Sequence, residues 1–205
     1  MRNAKKNIDY SRHSIGRFRK KIIDIKKAGC KMITILADDK NQDIGKRLYD
    51  DITTRGQQAK YISISNLDVK PCYSCGACTT KTFFKCVIND DMQAILSHMA
   101  NSDVLVYVCP IVFGGYSSDT KKVLDRSAIL GDVHYHFANG EIVKGLSVKF
   151  KKMYAVGVKE QCSLDEQKLF ARLLKENVQI MNIKGKAFVV GNHDKVDDIA
   201  VEVCS

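Results

Sequence analysis

Five short apolar segments recur along this chain, each followed or preceded by a stretch of helical character. They are residues 30–37 (CKMITILA), 59–65 (AKYISIS), 103–109 (DVLVYVC), 152–158 (KMYAVGV) and 186–191 (KAFVVG). Strands separated by helix-length connections imply parallel crossovers, with helices on both faces of one sheet. The intervening helices are expected over 41–55, stopped by Gly56, and from about Asp90-Asp91 to Asn101. A third, capped by Ser118 or Asp119, runs to about Ser127, and a fourth spans 163–182, with Ser163 and Glu166 forming a capping box. Residues 128–150 read as irregular, and no structure is assigned to 192–205.

The common five-stranded solution is the flavodoxin-like α/β fold, a parallel sheet of order 2-1-3-4-5. Ligands of such sheets bind beyond the carboxyl ends of the strands, at the topological switch point. Three loops leave those ends here, residues 37–45, 110–117 and 157–163. A cysteine-rich loop, residues 71–89, leaves strand two on the same side. The expected domain is 30–205, preceded by a basic arm or helix over 1–29.

Charge sets that arm apart. Of a net +10, residues 1–31 carry +9, from eleven Lys or Arg and two Asp, so the remaining chain is nearly neutral. A charge run of this kind is either a solvated helix or a dock for an acidic redox partner or a larger complex. No basic, aromatic-rich RNA-binding motif accompanies it, so nucleic acid is not the expected partner. The longest apolar runs, such as Val104 to Val108, are far below the roughly 20 residues a membrane helix takes. With no apolar signal core after the basic start, the reading is a cytoplasmic protein.

Eight cysteines are present, and four of them, Cys72, Cys75, Cys78 and Cys86, fall in C-x2-C-x2-C-x7-C spacing. Two-residue gaps let three thiolates converge from one turn, and a fourth further along closes a set of the kind a [4Fe–4S] cluster requires. Structural zinc more often uses two separated pairs, so the compact triple favours iron–sulfur, with zinc or unligated thiols as the other readings. Cys30 and Cys109 border strands and read as small buried hydrophobes.

Two stretches, PCYSCGACTTKTFFKCVINDDM and VLVYVCPIVFGGYSSDTKKVLDRS, resemble the NAD(P)H-dependent FMN reductase and iron–sulfur flavoprotein family. The likeness rests on the cysteine loop, the Asp90-Asp91 pair, Pro110, Phe113-Gly114 and Asp125-Arg126, within residues 71–127. It implies an oligomeric, FMN-binding oxidoreductase that takes electrons from NAD(P)H or another reduced carrier. It further implies that Cys72, Cys75, Cys78 and Cys86 ligate a [4Fe–4S] cluster. Pro110, Ile111, Val112, Phe113, Gly114 and Gly115 would then line the isoalloxazine, with backbone N–H groups facing its polar edge. Lys40, Gly45 and Gly157 would belong to the other two flavin loops.

The chain departs from the family pattern where FMN phosphate is usually cradled by small and hydroxyl-bearing residues. Here that loop carries Asp38, Asp39 and Asp43, which repel a phosphate, with Lys40 as the one cation among them. The turn after strand four lacks the usual Thr and Gly residues, and Val112 replaces a common Tyr. An alternative reading follows, a flavin-free relative that serves as a subunit of a larger assembly, with or without a cluster.

Overall fold

A computed structural model describes residues 31–205, apart from Asn41 and Asn139. The arm expected over residues 1–29 lies outside the described residues, as does Cys30. In chain order the elements are β1 (Met32–Ala37), α1 (Ile44–Thr54), β2 (Gln58–Ser63), the short α2 (Ala77–Thr80), α3 (Met92–Ala100), β3 (Val104–Pro110) and α4 (Ser118–Arg126). They continue with β4 (His136–Ala138), β5 (Glu141–Val143), β6 (Lys152–Val158), α5 (Leu164–Ile180), β7 (Lys184–Val190) and α6 (Asp197–Cys204).

The main sheet has five parallel strands in the order β2-β1-β3-β6-β7, which is 2-1-3-4-5 when only its own strands are numbered. β3 lies at its centre because its side chains are apolar on both faces. Leu105, Tyr107 and Cys109 enter one core with Met153, Ala155, Phe170 and Leu174, beneath α3, α4 and α5. Val104, Val106 and Val108 enter the other with Ile33, Ile35, Leu48 and Ile199, beneath α1 and α6. The period-2 alternation of one strand thus divides the apolar interior into two layers.

Three sequence expectations change. Residues 128–150, read as irregular, contain a turn of 3-10 helix over Ser127–Leu130 and the antiparallel β4–β5 hairpin. The hairpin strands are only three residues each, too short for a periodic signal. The unassigned tail folds as α6, whose Ile199, Ala200 and Val203 complete the second core. The cap of α4 is Ser117, whose hydroxyl accepts from Thr120 N–H, rather than Ser118 or Asp119. The capping box of α5 is formed by Ser163 and Glu166.

Candidate redox site at the carboxyl edge of the sheet

The loop after β1 turns its side chains on itself. Asp39 points toward β2 and the turn after it, where its carboxylate accepts the hydroxyls of Tyr61, Ser63 and Ser65. Asp43 pairs with Arg47, and Lys40 pairs with Asp119 of α4 at 2.6 Å. The Gln42 carboxamide spans the start of α1, donating to Asp38 O and accepting the Ile44 N–H at 2.9 Å. A helix N-terminus is where an anion would seat. Here a neutral amide oxygen of the chain itself takes the first N–H.

Asp38 is 5% exposed, and no hydrogen bond or ion pair to its carboxylate is formed among the described residues. It lines a cleft of about 240 Å³ with Lys40, Gln42, Pro110, Val158, Lys159 and Asn192, at the carboxyl ends of β1, β3, β6 and β7. Lys159 is held by Glu166. A free carboxylate in the wall, two lysines already paired and a filled helix start do not fit the dianionic phosphate of FMN.

Pro110 closes β3 and forms part of the cleft wall. Beyond it, Ile111 is buried and donates to Val158 O. Val112 and Gly115 exchange both backbone hydrogen bonds, at 3.0 and 2.9 Å, around Phe113 and Gly114 with φ of 50° and 75°. Such a two-residue turn needs left-handed backbone at both central positions, which glycine supplies readily. The turn uses the N–H groups of Val112 and Gly115, and Phe113 stands 91% exposed at its tip. Gly45 and Gly157 are small for packing: a Cβ at Gly45 would meet Ala37 at 2.6 Å, and one at Gly157 would meet Ile111 at 2.6 Å.

The cysteine loop lies between β2 and α3. Cys72 and Cys75 are exposed, whereas Cys78 and Cys86 are half-buried against the first core. Burial raises the pKa of Cys78, and the neighbouring Cys86 and Cys72 raise it further. Among the described residues, no three His, Cys, Asp or Glu side chains are gathered closely enough to hold a metal ion. The backbone is left-handed at Ser74, Phe83 and Phe84 as well as at Gly76. Non-glycine residues in that region carry about 1–3 kcal/mol of strain each and concentrate at functional segments. As a donor set, four thiols on one such loop fit a sulfur-ligated cluster. Tyr73, Phe83 and Phe84 are each more than half exposed around it.

The loop's base is buried. Arg126 and Asp90 form an ion pair whose side chains are 1% and 2% exposed. Desolvation opposes the Asp90 charge, but Arg126 and the N–H groups of Lys70 and Met92 outweigh it and hold the carboxyl below the ordinary range. Arg126 also donates to Lys70 O and Ile88 O. The Asp125-Arg126 and Asp90-Asp91 pairs both stand in the sequence as parts of one motif, but their ion pairing does not, because 36 residues separate Arg126 from Asp90. Gln42, Lys159 and Asn192 were likewise missed as cleft residues, since each comes from a different loop. Cys109 is buried, which pushes its thiol up to about 12 and leaves it protonated apolar filling.

The model of one family, NADPH-dependent FMN reductase, matches residues 37–163. An iron–sulfur flavoprotein of Methanosarcina thermophila is 36% identical over 85 residues, 42% of this chain and 44% of that protein. One of Methanocaldococcus jannaschii is 36% identical over 76 residues, 37% of this chain and 38% of that protein. The match therefore spans less than half the length of these curated relatives. In fold, the chain is similar to an NAD(P)H:quinone oxidoreductase from Methanothermobacter marburgensis, with a TM-score of 0.61 at 12% identity, covering 85% of this chain and 93% of that one. An azoreductase from Bacillus anthracis gives a TM-score of 0.57 at 8% identity over 85% of this chain and 93% of its own. The matched segment takes in the first loop, the whole cysteine loop, the Pro110–Gly115 turn and α4, more than half of the chain, and this chain belongs to the NADPH-dependent FMN reductase family.

Proposed function

We propose that this chain is an NAD(P)H-dependent electron-transfer oxidoreductase whose cysteine loop holds a [4Fe–4S] cluster through Cys72, Cys75, Cys78 and Cys86. The observation that carries the reading is the four-thiol loop, fixed at its base by the buried Arg126–Asp90 pair. A cluster there supplies one-electron chemistry. The chain's part is to hold four sulfurs, shelter two of them against the core and set the local charge.

In this reading flavin is met at the Asp38–Pro110 cleft as an exchangeable substrate rather than a tightly kept group, because its phosphate has no cradle. Pro110 to Gly115, with Lys40, Gly45 and Gly157 supporting the neighbouring loops, form the surface it would rest on. Exposed Phe113, Phe83 and Phe84 supply apolar surface for a second copy of the chain or a protein acceptor. Among the described residues no helix is long and apolar enough to cross a membrane.

The free Asp38 carboxylate and the Gln42 seat also favour a second reading, a flavin-free electron-carrying subunit. Anaerobic purification followed by an absorbance spectrum, with iron, sulfide and flavin measured on the same sample, separates the two. About four irons per chain, with reduction of added FMN by NAD(P)H, supports the first reading. The same iron with no flavin turnover supports the second, and absence of iron removes the cluster from both.

A further inference from the structure

Arg126 ends α4, yet every hydrogen bond of its guanidinium goes to the cysteine segment. Nη1 donates to Lys70 O at 3.2 Å and to the Asp90 carboxylate, and Nη2 donates to Ile88 O at 3.3 Å. Lys70 lies two residues before Cys72, and Ile88 lies two residues after Cys86. One side chain therefore holds both feet of the loop. The Nε–H is buried and has no acceptor among the described residues. The Cys86 thiol adjoins the same guanidinium.

A buried N–H without an acceptor destabilises a fold by about 1–3 kcal/mol, so folded chains seldom retain one unless something is meant to accept from it. A thiol is a weak acceptor, while a metal-bound thiolate carries the charge that makes N–H···S bonding favourable. Lysine could supply the charge at this place but not the planar fork that reaches several acceptors at once.

We propose that Arg126 is the positioning residue of the cysteine loop, closing both of its feet and keeping its remaining Nε–H for the Cys86 sulfur once that sulfur is a cluster-bound thiolate. The second part, an effect on a bound cluster, rests on the cluster reading above. Reduction of a cluster by one electron adds one negative charge. A donor and a positive charge beside a ligand sulfur favour that reduced state and raise its potential.

The test uses the full chain in two states. Without metal, wild type and Arg126→Lys are exposed to a protease under native conditions. Lysine cannot hold Lys70 O, Ile88 O and Asp90 at once. The expected result is faster cleavage within residues 71–89 of Arg126→Lys. Cleavage at the wild-type rate overturns the positioning role. Loaded anaerobically with iron and sulfide, Arg126→Lys is then compared with wild type. Retained iron with a more negative midpoint potential supports the proposal, as does lost iron with an unchanged circular dichroism spectrum. Retained iron at an unchanged potential overturns it. If Arg126→Lys does not fold, Asp90→Asn, which weakens the same hold, takes its place in the cleavage test, and if wild type takes up no iron the cleavage test alone decides the role of Arg126. Only the second of these outcomes counts against the cluster reading.

Discussion

Lys40 of the first loop reaches 2.6 Å to Asp119 in the first turn of α4, so the cation best placed to meet an anion in the cleft is already neutralised. Asp119 is held below the ordinary carboxyl range by Lys40 and then Lys122, which keeps the pair ionised at neutral pH. What the cleft presents unpaired is Asp38. Asp38→Ser removes that charge, and FMN affinity should rise by about tenfold or more, as two charges several ångströms apart near a surface interact by roughly 1–4 kcal/mol. Quenching of FMN fluorescence on titration measures it. Unchanged affinity would mean that the Gln42 seat, and not charge, closes the phosphate position.

Acid should weaken the fold through Asp103. Its carboxylate accepts the Met32 N–H at 2.9 Å and the Lys149 ammonium at 2.6 Å, joining β1 to the entry of β3. Desolvation pushes its pKa up, but Lys149 and the Met32 N–H outweigh this, so the folded value lies below the ordinary carboxyl range. A folded pKa below the unfolded one gives stability that is fully present above the unfolded value and is lost as pH falls through the folded one. The urea stability difference between wild type and Asp103→Asn should be flat from pH 7 to about pH 5 and shrink below about pH 4. A difference that held constant down to pH 3 would exclude this linkage.

Gly157→Ala tests how firmly the second loop is seated. The added methyl would lie 2.6 Å from Ile111 and 2.9 Å from Phe170, both buried. Overpacking of this kind destabilises by about 1–3 kcal/mol. Thermal unfolding should register that loss, and a neutral result would show that Ile111 gives way freely.

Cys75→Ala should abolish iron retention, while Cys109→Ala should leave it intact. Cys75 is exposed on the loop, whereas Cys109 is enclosed in β3 as a protonated thiol. Iron analysis after anaerobic reconstitution distinguishes them, and retention by Cys75→Ala would remove that residue from the ligand set.

The inner strands β1, β3 and β6 were legible because each carries consecutive apolar residues buried on two faces, while the edge strand β2 showed only partial period-2 alternation. Val104 to Cys109 could hardly be anything else. The β4–β5 hairpin was not legible, since three-residue strands have no measurable period, and α6 was not, since eight residues cover little more than two turns of a helical pattern. At the site, local spacing exposed the four cysteines and the three carboxylates of the first loop. It could not reveal that Asp39 is satisfied by hydroxyls of β2 and the turn after it, that Gln42 occupies the start of α1, or that Arg126 pairs with Asp90. Those facts depend on which loops the sheet order brings together.

Asp119 and Arg126 stand seven residues apart on α4, close to two full turns, so both project from nearly the same side about 10 Å apart along the axis. One end grips the first loop through Lys40, and the other grips the cysteine loop. The helix therefore acts as a ruler between two loops distant in sequence. Inserting a single residue between these grips would swing Arg126 by about 100° and break its hold while leaving Asp119 in place. In this chain the spacing of the two loops is therefore set by the pitch of one nine-residue helix.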